Sequence, residues 1–138
     1  MRVQVEINDI DLFKEYGLIL TDREIGTAVP NLYQTTIPGR NGKLDYTEFY
    51  GDLTYQNRTI KMTFSKKVDK STQELKYLIE REYNGKVLNV SFSDDNDHYW
   101  KGRATISSND DDSETYRLEI SLDAHPFKFL KQYDKEVR

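Results

Sequence analysis

The chain has 138 residues, no cysteine, and 20 basic against 24 acidic residues, a net charge of −4. This length predicts a single domain with a sizeable core, and ten tyrosines, six phenylalanines and one tryptophan argue against disorder. The lack of cysteine excludes disulfides, thiol nucleophiles and thiolate metal sites, and the slightly acidic balance argues against a nucleic-acid-binding surface. No apolar run is long enough to predict a membrane span, and the N-terminus has no apolar signal-peptide region.

The first segment of the chain alternates apolar and polar residues. Val3, Val5 and Ile7 fall on one side, which predicts a strand with one packed face and one solvated face. The residues DLFKEYG at 11–17 predict a single helical turn, and a strand follows near 18–23. One-sided strands of this kind are typical of antiparallel sheets.

Residues 26–52 make an unusually long connection for a compact domain. Weak alternation predicts two short strands, about 31–37 and 44–50, joined by the turn PGRNGK. Because a lone hairpin is only marginally stable in water, either it folds back on its own domain or another chain completes it. We expect a projecting hairpin arm at about 31–50, covered by a neighbouring subunit. The predicted interface residues are Tyr33, Arg40, Tyr46, Phe49 and Tyr50, with Arg40 at the tip placed to pair with a neighbour's carboxylate.

After a further alternating stretch at 60–64, STQELKYLIEREYNG predicts a helix at about 72–83. Ser71 and Glu74 have the spacing of a capping box, and Asn84-Gly85 offers a left-handed stop. An apolar stripe at helical spacing predicts the face that packs against the β-core. Its residues are Leu75, Leu78, Ile79 and Tyr83.

Three alternating stretches follow the helix, around 88–92, 104–106 and 116–122. The acidic segments SDDNDH at 93–98 and SNDDDS at 108–113 separate them and predict hairpin turns. The whole pattern predicts a mostly β (α+β) chain, an antiparallel β-sandwich with one flanking helix.

Motifs that carry chemistry are not found. Asp94, Asp95, Asp97 and His98 fail the spacing of an EF-hand loop, and His98 and His125 lie at no ligand or triad spacing. The sequence contains no nucleophile elbow, no P-loop and no zinc-protease motif. It therefore predicts no enzyme activity, no metal and no cofactor.

Tyr99, Trp100 and Lys101 raise an alternative function, a monomeric carbohydrate-binding module that stacks sugars on aromatic rings. Against it, Trp100 shares the strand face of Ala104 and Ile106, which predicts a core position.

The segment YQTTIPGRNGKLDYTEFYGDLTYQNRTIKMTF at 33–64 resembles the distal tail protein (Dit) family of long-tailed, non-contractile bacteriophages and prophages. In that family an IPGR-(D/N)-G-x-LD-T-E stretch leads into a Y-x-NRTI strand, as at residues 37–48 and 55–60 here. The stretches YWKGRATI at 99–106 and LEISLDAHPFKF at 118–129 also resemble strands of the family. The four matches occur in the family's order across nearly the whole chain.

The resemblance implies a tail-tube-like β-sandwich that forms a ring, typically of six copies, in the virion's tail tip or baseplate. Such a ring joins the tail-tube protein to the tail-tip proteins, and DNA passes through its channel without specific binding. The protein would be made in the bacterial host's cytoplasm and would not enter a membrane. The chain stops at Arg138, so we expect a single ring-forming domain over 1–138 without the galectin-like C-terminal domain of other members.

A channel for DNA should be acidic or neutral, because lysines and arginines would bind the passing phosphates through counterion release. The acidic loops at 94–97 and 110–112 are candidates to line or rim such a channel.

Overall fold

The structure is a computed structural model that describes residues 3–109, 114–132 and 135–137. Two helices and eleven strands lie within these ranges. In chain order they are β1 (Val5–Ile7), β2 (Ile10–Asp11), α1 (Leu12–Tyr16), β3 (Ile19–Ile25), β4 (Gln34–Thr36), β5 (Lys43–Asp45), β6 (Arg58–Lys67), α2 (Thr72–Tyr83), β7 (Val87–Phe92), β8 (His98–Asn109), β9 (Thr115–Ala124), β10 (Phe129–Leu130) and β11 (Lys135–Glu136).

Nearly all strands belong to one antiparallel sheet with the order β2-β1-β7-β8-β9-β6-β3. The long strands β6 and β9 pair over their whole length, with Ile60 opposite Leu122 and Phe64 opposite Leu118. Strand β10 pairs with the first residues of β8, and β11 pairs with β10. The predicted fold class, mostly antiparallel β with one main helix, is confirmed.

The sheet curls so that distant strands meet. Arg23 of the edge strand β3 donates two hydrogen bonds to Asp94, just after β7, at 3.0 and 2.9 Å. Its guanidinium carbon also lies 4.8 Å from the centre of the Phe92 ring. Because β3 and β7 are separated by three strands in the sheet order, this contact closes the sheet into a sandwich-like shape.

The predicted alternation separates the buried from the exposed side chains of the sheet correctly. Ile60, Met62 and Ile120 are among the completely buried residues, whereas the intervening Lys61 and Glu119 are exposed. The packed face of the sheet holds the core, and the other face is open to solvent, as the one-sided pattern predicts.

Helix α2 has the predicted bounds and covers one part of the core. Leu75, Ile79 and Tyr83 are buried, but Leu78 is only half-buried at the edge of the core. The prediction for Leu78 therefore holds only in part, because its position on the helix turns it towards the margin of the packed face. Gly85 has a φ of 75° and supplies the predicted left-handed stop.

The predicted capping box is wrong. The Ser71 side chain makes no bond to the start of α2 and instead donates to Asp69 Oδ1 at 2.7 Å. Ser71 has helical angles, with φ at −91° and ψ at −3°, so its hydroxyl does not face the free amides of the first turn. Asp69 organises this turn in its place.

The other local predictions are confirmed where they can be compared. The helical turn at 11–17 is α1, capped by Asp11, whose Oδ1 accepts from Phe13 N at 2.9 Å. The strand expected near 18–23 is β3, and the acidic segment at 93–98 connects β7 to β8. Most of the second acidic segment, at 110–113, lies outside the described residues.

Candidate interaction surface

The predicted arm is a separate hairpin. Strands β4 and β5 pair with each other, with Gln34 opposite Asp45 and Thr36 opposite Lys43, and they form a two-stranded sheet of their own. Both strands are shorter than the predicted 31–37 and 44–50, and residues 47–50 form a turn. This difference has a local cause: Asp45 Oδ1 accepts from Thr47 N at 3.0 Å, which bends the chain out of the extended conformation.

Side chains hold the two legs of the arm together. Thr47 Oγ1 accepts from Tyr33 N at 3.1 Å, and Gln34 Nε2 donates to Asp45 Oδ2 at 3.2 Å. The hydrogen bonds from Thr47 and Gln34 lower the pKa of Asp45, because they favour its charged form. The rings of Tyr33 and Tyr46 pack with their centres 6.2 Å apart.

The base of the arm, residues 26–30 and 51–58, continues the pairing of β3 with β6. Gly26 N donates to Thr59 O at 2.9 Å, and Gln56 N donates to Val29 O at 2.8 Å. The Tyr55 ring meets the Phe127 ring edge-on, with centres 5.2 Å apart. The arm is thus an extension of the β3–β6 ladder beyond the edge of the core.

Arg58 fixes this base to the sheet. Its Nη1 donates to Gly26 O at 3.2 Å, and its guanidinium lies over the Trp100 ring at 4.8 Å. Burial lowers the pKa of Arg58, and its buried Nε has no hydrogen-bond partner among the described residues. An unsatisfied buried donor is costly, and the hydrogen bond to Gly26 and the contact with Trp100 offset that cost.

Two aromatic side chains of the arm, Phe49 and Tyr50, are left largely uncovered by the described part of the chain. Phe49 is 78% exposed and Tyr50 is 79% exposed, and their rings contact each other edge-on with centres 5.0 Å apart. Residues 31–50 are all described, and none of them is buried. Exposed neighbouring aromatics of this size are typical of an interaction surface.

The five predicted interface residues lie in three different places on the arm. Tyr33 and Tyr46 pack against each other inside the arm, and Tyr46 is half-buried. Phe49 and Tyr50 form an exposed pair after β5, and Arg40 is exposed in the turn at the tip.

A second surface was not predicted from the sequence: an open cavity of about 670 Å³ lies between α1, the end of β6 and α2. Tyr77, on the outer face of α2, is 72% exposed at its rim. The sequence did contain a signal for this surface, a second stripe along α2 at positions 74, 77, 78 and 81. The cavity is lined by Glu15, Tyr16, Gly17, Lys66, Ser71, Glu74, Leu75, Tyr77, Leu78 and Arg81.

The acidic loop and both histidines are engaged by polar side chains. Asp95 contacts His98 Nδ1 at 2.8 Å and Lys128 Nζ at 2.6 Å, and His125 Nε2 contacts Glu136 at 2.8 Å. The bonds from Arg23 lower the pKa of Asp94. Within the described ranges, no three acidic or histidine side chains are grouped as a metal site would require.

The aromatics suspected of sugar stacking are covered. Trp100 is half-buried against the core beneath Arg58, so its predicted core position holds in part. Tyr99 stacks on Phe129 with ring centres 5.4 Å apart. Each ring is half-buried and has a partner on one face.

No family model and no curated protein matches this sequence. The fold, however, is similar to the crystal structure of the Dit protein (gp 19.1) of phage SPP1, described as a paradigm of the hub adsorption apparatus in phages that infect Gram-positive bacteria. The TM-score is 0.67 at 14% identity, and the match covers 94% of this chain and 53% of the SPP1 protein. The chain therefore has a Dit-like fold and spans about half the length of that protein. In the part of the chain that the structure describes, no helix has the length and apolarity needed to cross a membrane.

Proposed function

We propose that this chain is a structural, non-catalytic component of a phage tail, within the adsorption apparatus of the virion. The observation that carries the proposal is the Dit-like fold, which extends over 94% of the chain. The residues 33–64 support it independently, because they resemble the Dit family in sequence order and spacing.

Within this role, the chain forms a ring, hexameric as in the Dit family, that joins the tail tube to the tail-tip proteins. The arm supports the ring, since it pairs only with itself and exposes Phe49 and Tyr50. A contact between two different surfaces of identical chains closes into a ring when its rotation allows. Such a contact would cover both aromatics.

The ring leaves a channel through which DNA passes without specific binding, and its wall is acidic or neutral. The loop at 94–97 fits a neutral wall, because Asp94 and Asp95 are each paired with cationic side chains. The loop at 110–112 lies outside the described residues. An assembled ring with a lumen lined by unpaired lysines and arginines would contradict this part of the proposal.

The carbohydrate-binding alternative is less well supported, because Trp100 lies under Arg58 and Tyr99 lies against Phe129. Glycan binding by the isolated chain, lost on replacing Trp100, would favour that alternative.

Light scattering after size-exclusion chromatography, with negative-stain electron microscopy, tests the proposed function. We expect concentration-dependent assembly into annular particles with a central hole, promoted by the tail-tube protein of the same phage. A strict monomer at all concentrations, with and without that tube protein, would contradict it.

A further inference from the structure

The cavity between α1 and α2 has the chemistry of a receptor for a cationic segment. Glu15 and Glu74 line it, are exposed, and have no ion-pair partner in the described part of the chain. The cations that line it are committed elsewhere: Lys66 lies 3.0 Å from Asp69, and Arg81 lies 3.2 Å from Glu82. Because each of these cations is paired with a carboxylate, Asp69 or Glu82, the six charged side chains together carry a net charge of −2.

The tip of the arm has the opposite charge. Arg40 and Lys43 are both exposed around the turn, where Gly39 and Gly42 have φ values of 78° and 79°. The nearest carboxylate on the arm, Asp45, is already engaged by Thr47 and Gln34. The tip therefore presents two cationic side chains against one carboxylate, so its net charge is positive.

The arm and the cavity lie at opposite ends of the same strand pair. The arm leaves the sheet at Ile25 and returns at Arg58, the start of β6, while Lys66 at the end of β6 lines the cavity. Ten strand residues separate these ends by about 30 Å. Because the arm base continues the β3–β6 ladder outward, the arm leaves the core at the end of the ladder opposite the cavity.

We propose that the arm tip of one copy, residues 38–43, docks into the α1–α2 cavity of the next copy. Arg40 pairs with Glu15 and Glu74, and the aromatic rim residue Tyr77 packs against the arm. This inference rests on the proposed ring, for which it names the two contacting surfaces. Placing donor and receptor at opposite ends of one molecule makes the contact head-to-tail, the arrangement that a ring needs.

Cross-linking of two single-cysteine chains tests this contact directly, because the natural sequence has no cysteine. Asn41→Cys chains are mixed with Tyr77→Cys chains, or with Ser71→Cys chains, and treated with a short bismaleimide. These positions flank the proposed ion pairs and leave Arg40, Glu15 and Glu74 intact. Glu80→Cys is the matched control, since Glu80 is exposed on the same helix but does not line the cavity.

We expect mixed dimers with Tyr77→Cys or Ser71→Cys at several-fold higher yield than with Glu80→Cys. Arg40→Glu should weaken assembly, Glu15→Arg with Glu74→Arg should weaken it too, and combining all three should restore it. Annular particles that give no selective cross-link would overturn the docking site and leave the proposed function standing. A chain that neither assembles nor cross-links would overturn both.

Discussion

At the scale of single residues, Asp69 shows how one carboxylate organises the start of a helix. Its Oδ1 accepts from Ser71 N at 2.9 Å, and its Oδ2 lies 3.0 Å from Lys66 Nζ. The hydrogen bonds from Ser71 and Lys66 hold the pKa of Asp69 far below its ordinary value of 3.8, because they favour the charged form. The bonds therefore depend on ionisation.

Replacing this carboxylate with its neutral isostere tests the dependence. Asp69→Asn should lower the urea midpoint at pH 7. The folded pKa is depressed, so the stabilisation is complete above the unfolded value, near 3.8, and is lost as the pH falls towards the folded value. The difference between variant and wild type should thus shrink below about pH 4. Asp52→Asn, at an exposed arm-base position, is the control, and a difference independent of pH would contradict the assignment.

At the scale of elements, α2 carries two overlapping stripes of side chains. Leu75, Ile79 and Tyr83 face the core, whereas Glu74 and Tyr77 line the cavity towards α1. Leu78 belongs to both stripes, since it is half-buried against the core and also lines the cavity. The helix thereby supports the fold and shapes the proposed receptor.

Truncations along α2 should follow this division. Ile79 is 1% exposed, so Ile79→Ala should cost ~2–5 kcal/mol of unfolding free energy. Leu78→Ala should cost less, about 1 kcal/mol, and Tyr77→Ala should stay within about 0.5 kcal/mol. Chemical denaturation of the three variants checks the order. Equal losses for Ile79 and Leu78 would show that the stripes are not separate.

The close pairing of β8 with β9 depends on a glycine. A Cβ at Gly102 would lie 2.6 Å from Ala124 Cα and closer still to Asp123 O, both of them backbone atoms. Gly102→Ala should therefore cost ~1–3 kcal/mol or more, because the two strands would have to separate. Ser107→Ala, exposed on the same strand, is the control. Denaturation midpoints within error of each other would contradict the close approach.

At the scale of the whole molecule, periodicity was sufficient to predict the main architecture. The alternation through 116–122 and the helical spacing in 72–83 each identify a packed face. Because only one face of each element is buried, its apolar residues recur with the period of a strand or of a helix. The role of Asp69 at the start of α2 was not predictable. The spacing of Ser71 and Glu74 is a local signal for a capping box, but the Asp69 carboxylate binds the Ser71 hydroxyl instead. The early end of β5 has the same kind of cause in Asp45.

Tertiary contacts account for what the sequence could not indicate. The cavity between α1 and α2 depends on how a five-residue helix packs beside the end of β6, which has no periodic signature. The exposure of Phe49 and Tyr50 depends on the arm's failure to pair with the main sheet. The hairpin and its projection from the domain were both predicted, because a lone hairpin with a polar turn cannot bury its own aromatics.

The last prediction concerns the aromatic residues of the arm, which stabilise either their own domain or an assembly of several copies. Phe49→Ser with Tyr50→Ser should abolish annular particles, as should deletion of 38–43. Neither change should alter the cooperative thermal unfolding of the monomer, since both rings are more than three-quarters exposed. Tyr46→Ser is the informative comparison: it removes the contact with Tyr33 and should loosen the arm without unfolding the core. If the Phe49 and Tyr50 variant instead unfolds at a much lower temperature, these rings stabilise their own domain and the arm is not an interface.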